Sequence, residues 1–278
     1  MTLTTDPPRR PVIVKRKVAG TERILNCLPS RDQDDDWDVG SAEAAGVLTR
    51  GARLPTSVDL REPWWKIGNQ GSTGSCVGWA TADSLLRWHF VKAGRIGPNE
   101  MLSVRFVWMA AKETDEFGQR PTTFIEPEGT SLKAALDVAR KYGCVRDREL
   151  PFAAPRLFRG DAKAFYLLAS QLKIRAYVNL GRKLADWRRW LATQGPILTR
   201  LDCDQTWMDA KSTQGQLAEY RPETADGGHA VALVGYTDTH LIVRNSWGTV
   251  SWGDKGFAYA TFAYAQDAFT EAYGISAL

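Results

Sequence analysis
The chain has 278 residues, 44% hydrophobic and 24% charged, enough length and apolar content for one large domain or two small ones. A formal net charge of +4, without a clustered basic face, gives no case for nucleic acid as a partner, and no apolar run approaches the length needed to span a membrane. Met1 to Arg10 carries arginines and prolines with no apolar core behind them, so no secretory signal peptide is expected.

Residues 1–53 differ from the rest. Arg9, Arg10, Lys15, Arg16, Lys17 and Arg23 make the start basic; Asp32, Asp34, Asp35, Asp36 and Asp38 make the next part acidic. Between them lie Val12-Ile13-Val14 and Ile24-Leu25-Asn26-Cys27-Leu28-Pro29, two apolar pieces suited to dock as strands. Charge runs of this kind are commonly solvated arms. The competing expectation is a propeptide or autoinhibitory arm, with Ile24 to Pro29 lying in a cleft as a substrate would, in the reverse direction. No long amphipathic helix is evident, and the Ala- and Gly-rich residues 41–53 read as a linker or cleavage region.

Next comes Gln70-Gly71-Ser72-Thr73-Gly74-Ser75-Cys76-Val77-Gly78-Trp79-Ala80. Two glycines allow a sharp bend, Ser75 is a good N-cap, and Val77, Ala80, Leu85, Trp88 and Val91 include helix-spaced apolar positions. Cys76 therefore falls in a first helical turn, where unpaired N–H groups and the helix dipole favour a thiolate nucleophile. The plainer alternative is a buried core cysteine. The helix should stop near Ala93-Gly94. Further helices are expected over 102–112 and over 131–142, the latter capped by Ser131 and ended by Gly143, with loop over 120–129.

The second half should begin around Pro155. It reads as a short helix over 161–172, a strand over 174–180, a helix over 183–193 with Trp187 and Trp190 packed on the core, and a strand over 195–201. Residues 203–228 lack periodicity and should edge a cleft. His229 opens the apolar run 230–236, and after a polar turn Leu241 to Arg244 forms a second strand ending at Asn245. This antiparallel hairpin sets His229 and Asn245 side by side. Asn245 can then orient the imidazole, and Trp247 can shield it. His89 lies on the Cys76 helix, about 20 Å along it, and His240 lies in the turn. A separated Cys, His, Asn order is that of lysosomal-type cysteine enzymes.

Taken together, Leu54-Pro55-Thr56-Ser57-Val58-Asp59-Leu60-Arg61, Asn69-Gln70-Gly71, Gly74-Ser75-Cys76, Glu128-Gly129-Thr130, Gly195-Pro196, His229-Ala230-Val231, Gly235-Tyr236, Asn245-Ser246-Trp247-Gly248, Trp252-Gly253 and Gly256-Phe257 occur in the order of a papain-like cysteine peptidase. The chain resembles that family over about residues 54–274. The resemblance implies an α+β fold, with a mainly helical half over about 54–155, an antiparallel β-rich half over about 156–278, and the cleft between them. It implies Cys76 as nucleophile, His229 as general base then acid, Asn245 as orienter and Gln70 as oxyanion-hole donor. Gly129, Gly228 and Trp247 are expected at the substrate, and a peptide or protein is the expected partner. Two positions depart from the family: Thr73 stands where many relatives have a disulfide-forming cysteine, and Val77 where many have tryptophan.

Cys27, Cys144 and Cys203 show no paired spacing, and no His/Cys cluster suggests a metal or other cofactor. A reducing, cytoplasmic location is therefore expected, with export by a leaderless route as the alternative. Hydrolysis through a thioester is the expected chemistry. The same triad would also serve a transpeptidase or ligase, and a non-catalytic peptide-binding module is the reading from a different class.

Overall fold
The computed structural model describes residues 13–51, 53–114, 129–153 and 162–276. Ala19 and Gly20 both take positive φ, 45° and 83°. They make the two-residue turn that matches the twist of a hairpin, here joining β1 (Val14–Val18) to β2 (Thr21–Leu25). Helix α1 (Val39–Ala44) follows, its start capped by the Asp38 carboxylate accepting from the Ser41 N–H. The stretch 41–53, expected as linker, is thus partly helical, and Ala42 and Leu48 are buried in the core.

After the two-residue strand β3 (Val58–Asp59), the chain enters a continuous helical run: α2 (Cys76–Gly78), a π-helical segment (Trp79–Leu86) and α3 (Arg87–Lys92). Every residue of the π segment is buried, so no polar face sets an ordinary helical period there. Gly94, at φ 66°, ends the run where a left-handed residue is needed. Then come α4 (Val104–Thr114) and α5 (Leu132–Lys141), the latter capped by the Ser131 hydroxyl accepting from the Ala134 N–H. Together with the Cys76 run they enclose one apolar core. The loop expected over 120–129 lies, apart from Gly129, outside the described residues, as does the boundary near Pro155.

The remainder is α6 (Ala162–Ser170), β4 (Ala176–Asn179), α7 (Leu184–Thr193), β5 (Ile197–Cys203), α8 (Gln205–Met208), β6 (Gln216–Leu217), β7 (Gly227–Tyr236), β8 (His240–Arg244), β9 (Phe257–Thr261), α9 (Phe262–Ala268) and β10 (Phe269–Ser276). The strands order as β4-β10-β5-β7-β8-β9-β6, with β3 on β7; all neighbours are antiparallel except β6 and β9. Trp187 and Trp190 bury the inner face of α7 in the second core. The connection 203–228 is more ordered than its lack of periodicity suggests: Asp204 caps α8 and also accepts from the Tyr264 hydroxyl at 2.8 Å, contacts distant in sequence.

Candidate active site
The site begins with two loops pinned to each other. The Gln70 N–H donates to the Ser246 carbonyl at 2.9 Å, and the Ser246 hydroxyl donates to Gln70 Oε1 at 2.8 Å. The Thr73 carbonyl, which can only accept, fixes the amide orientation, because Nε2 must face it. Gln70 Nε2 then donates one proton to the Thr73 carbonyl at 2.9 Å and retains a second. Thr73 Oγ1 bonds the Gln70 carbonyl at 2.7 Å and Ser75 Oγ at 2.6 Å. The loop is therefore held by hydrogen bonds at the position where a relative's disulfide would start. Ser75 differs from its expected role: its side chain makes no cap bond, being engaged with Thr73.

On the opposite wall, β7 begins with Gly227-Gly228-His229, and β8 leads into Asn245. Asn245 Oδ1 accepts from the Ser246 N–H at 2.7 Å and lies 2.8 Å from His229 Nε2. An oxygen that accepts from a backbone N–H leaves Nε2 as the protonated nitrogen. In neutral imidazole Nδ1 is then the basic nitrogen, buried and with no hydrogen-bond partner, and the Cys76 thiol interacts with the ring electrostatically. Trp247 lies over the ring with centroids 4.8 Å apart, and Trp207 meets it edge-on at 5.7 Å. Interaction with the Cys27 thiol first, and with His229, holds the Cys76 pKa well below the ordinary thiol value, against the opposing effect of burial.

A buried ion cluster joins the two walls. Asp83, on the π segment that follows Cys76, pairs with Arg87 at 3.1 Å and with Arg244 at 2.8 Å. Arg244 is the residue before Asn245, and it also donates to the Lys66 carbonyl at 2.7 Å. The position of the Cys76 helix is thereby tied to that of the Asn245 amide.

The cleft between the walls holds the arm. The Cys27 N–H donates to the Gly228 carbonyl at 3.0 Å, the Leu28 N–H donates to the Thr130 carbonyl at 3.1 Å, and Leu28 pairs in parallel with Ser131. A Cβ at Gly129 would collide with the Asn26 carbonyl oxygen, and one at Gly228 with that of Cys27; both positions are glycine because another backbone passes there. Upstream, Arg23 donates to Asn69 Oδ1, the Gly71 and Trp247 carbonyls and Ser251 Oγ at 3.0–3.2 Å. Downstream, the Ser30 N–H donates to Glu271 at 2.9 Å, and Lys133 pairs with Asp36 at 2.7 Å. Cys76 and His229 are both 0% exposed.

A family model described as papain family cysteine protease matches residues 54–274. The chain belongs to the papain family of cysteine proteases. Among solved structures of this papain-like fold, xylellain, a cysteine protease from Xylella fastidiosa, superposes with a TM-score of 0.73 at 21% identity, over 96% of this chain and 99% of that one. ProCathepsin B S9 from Trypanosoma congolense gives 0.64 at 18% identity, covering 91% and 86%. Procathepsin L2 from the Tenebrio molitor larval midgut gives 0.64 at 20%, covering 90% and 77%. No curated protein matches.

Within this papain-family protease, Cys76, His229, Asn245, Gln70 and Trp247 converge on one point, and Gly129 and Gly228 flank the arm beside it. Three participants carried no sequence signal of their own. Arg23 acts through long-range bonds, and so does Asp83 toward Arg244, which its i,i+4 spacing to Arg87 does not reveal. Cys27 was legible only as part of an apolar, strand-like piece.

Proposed function
We propose that this papain-family protease is a latent cysteine peptidase, hydrolysing peptide bonds through Cys76, His229 and Asn245. One observation carries the reading: Asn245 Oδ1 takes the Nε2 proton of His229, so the basic Nδ1 is the nitrogen left for the Cys76 thiol. The Cys76 thiolate attacks the scissile carbonyl carbon. The resulting oxyanion takes the Cys76 N–H, which has no intrahelical acceptor in a first turn, and the remaining proton of Gln70 Nε2. Each such donor is worth about 2.7–4 kcal/mol in the transition state. His229 gives its acquired proton to the leaving amine, which frees a thioester, and then draws a proton from the water that hydrolyses it.

Residues 13–48 act as the inhibitory segment. Their backbone pairs with the cleft walls, yet the Cys27 carbonyl is turned onto Arg200 Nε at 3.0 Å, away from the oxyanion donors. The arm thus fills the cleft without offering a bond for attack. Profiling a peptide library with full-length and arm-shortened protein, each beside its Cys76→Ala counterpart, tests the reading. Cleavage confined to proteins with Cys76 is expected; undiminished cleavage by a clean Cys76→Ala preparation would falsify it.

A further inference from the structure
The arm brings a second thiol to the nucleophile. Cys27 is 2% exposed and lies in the same apolar cluster as Cys76. Its backbone is fixed on both sides, the N–H on Gly228 at 3.0 Å and the carbonyl on Arg200 Nε at 3.0 Å. Gly228 precedes His229 on β7, so this anchoring holds Cys27 at the reacting centre. The Cys27 thiol reaches the Leu28 carbonyl at 3.8 Å, and the Cys27 and Cys76 sulfurs perturb each other's ionisation.

We propose that Cys27 and Cys76 form a reversible disulfide that locks the arm into the cleft when the protein meets a hydroperoxide. The proposal rests on the reading of Cys76 as the nucleophile and of the arm as its cover. Thiolate character and a neighbouring resolving thiol are what a redox-sensing cysteine requires. Cys76 favours the thiolate, whereas burial and the negative charge of Cys76 keep Cys27 protonated. The other two cysteines lack this pairing: Cys144 donates to the Val145 carbonyl and burial pushes its pKa up to about 12, and burial also raises that of Cys203.

Hydrogen peroxide, reaching the pair as the arm loosens locally, is the oxidant. The Cys76 thiolate attacks one peroxide oxygen; an S–O bond forms and the O–O bond breaks. The departing hydroxide takes the proton that His229 holds and leaves as water. The Cys27 sulfur then attacks the sulfenic sulfur of Cys76; the S–S bond forms, the S–O bond breaks, and a second hydroxide leaves with the Cys27 proton as water. Two thiols and one peroxide thus give one disulfide and two waters. Two consequences follow: the nucleophile is kept from irreversible over-oxidation, and the inhibitory arm is tethered until a dithiol reductant releases it.

The test is limited oxidation of the full chain with hydrogen peroxide, followed by non-reducing peptide mapping. A peptide pair joining Cys27 to Cys76 is expected, with loss of Cys76 alkylation that dithiothreitol restores. In Cys27→Ser and Cys27→Ala, Cys76 should instead advance to sulfinic acid, and dithiothreitol should not restore its labelling. Oxidation of wild-type Cys76 to sulfinic acid with no linked peptide, at the rate seen in the variants, would overturn the proposal. The mapping needs no variant and no turnover. A linked peptide in a protein whose reduced, arm-shortened form is inactive would therefore uphold the disulfide while refuting the peptidase reading.

Discussion
A thiol buried beside an imidazole is only as good a nucleophile as the proton transfer between them, and that transfer depends on which ring nitrogen is free. Asn245 decides this for His229. Cys76→Ala should therefore abolish peptide hydrolysis while leaving the far-ultraviolet spectrum and melting curve native-like, since the change is small. His229→Ala should be comparably severe, with losses on the order of 10⁶-fold where such a relay acts as a unit. Asn245→Ala should cost less, because it orients rather than reacts. The thiol pair also makes a pH prediction. The depressed Cys76 value means its contribution to stability is present above its unfolded value and is lost as pH falls through the folded one; the raised Cys27 value works in reverse, its contribution being lost as pH rises through it. Ultraviolet thiolate absorbance should titrate Cys76 below about 8.5, and Cys27→Ala, by removing the neighbouring thiol that favours the thiolate, should move that midpoint upward. An unmoved midpoint in folded Cys27→Ala would contradict the coupling of the two thiols. The closeness of His229 and Asn245 was legible from sequence because each sits at an end of a strongly patterned strand. Cys27 was not, because its place depends on a backbone bond to Gly228, two hundred residues on.

Among the elements, the π segment and β8 matter most, because Asp83 and Arg244 couple them. Removing one partner of a buried ion pair leaves an uncompensated charge, which typically costs about 3–5 kcal/mol. Asp83→Ala strands both Arg87 and Arg244 and should lower stability by about that amount in a denaturant titration; a loss near zero would show the cluster to be incidental. The β1–β2 hairpin depends on Arg23 in a similar way. Arg23→Ala removes four hydrogen bonds from a charged donor, each worth about 1.5–3 kcal/mol, so Cys76 should be alkylated at least about tenfold faster, a factor equal to 1.4 kcal/mol. Unchanged alkylation of a folded Arg23→Ala protein would mean that the hairpin does not gate the site. The β7–β8 hairpin and helices α5 and α7 were readable from apolar period and caps. The helical run from Cys76 was readable too, but not the π character of its buried middle, and residues 203–228 take their order from Asp204 and its tertiary partners rather than from local pattern.

For the molecule as a whole, the arm is both cover and structural strap. Val18, Leu25, Ala42 and Leu48 belong to the same core as the sheet, and α1 carries Glu43 against Arg189 at 2.5 Å. Charge composition alone suggested a solvated tail, while the apolar pieces around Val14 and Leu25 suggested docking as strands; both residues pack on the core of the sheet. This division sets where the chain can be shortened. A protein starting at Leu54 loses Ala42 and Leu48 and should be destabilised, Leu48 alone by about 1.5–3 kcal/mol of burial, with a lower melting temperature as the readout. A protein starting at Pro29 loses the hairpin and Cys27 but keeps α1 and Leu48. The decisive measurement is the rate of peptide hydrolysis by that protein beside the full chain, both fully reduced and each with its Cys76→Ala counterpart. Faster turnover on shortening, dependent on Cys76 and suppressed by adding residues 13–28 as a peptide, is the predicted result. Equal rates from two well-folded proteins, or turnover that survives Cys76→Ala, would contradict the account.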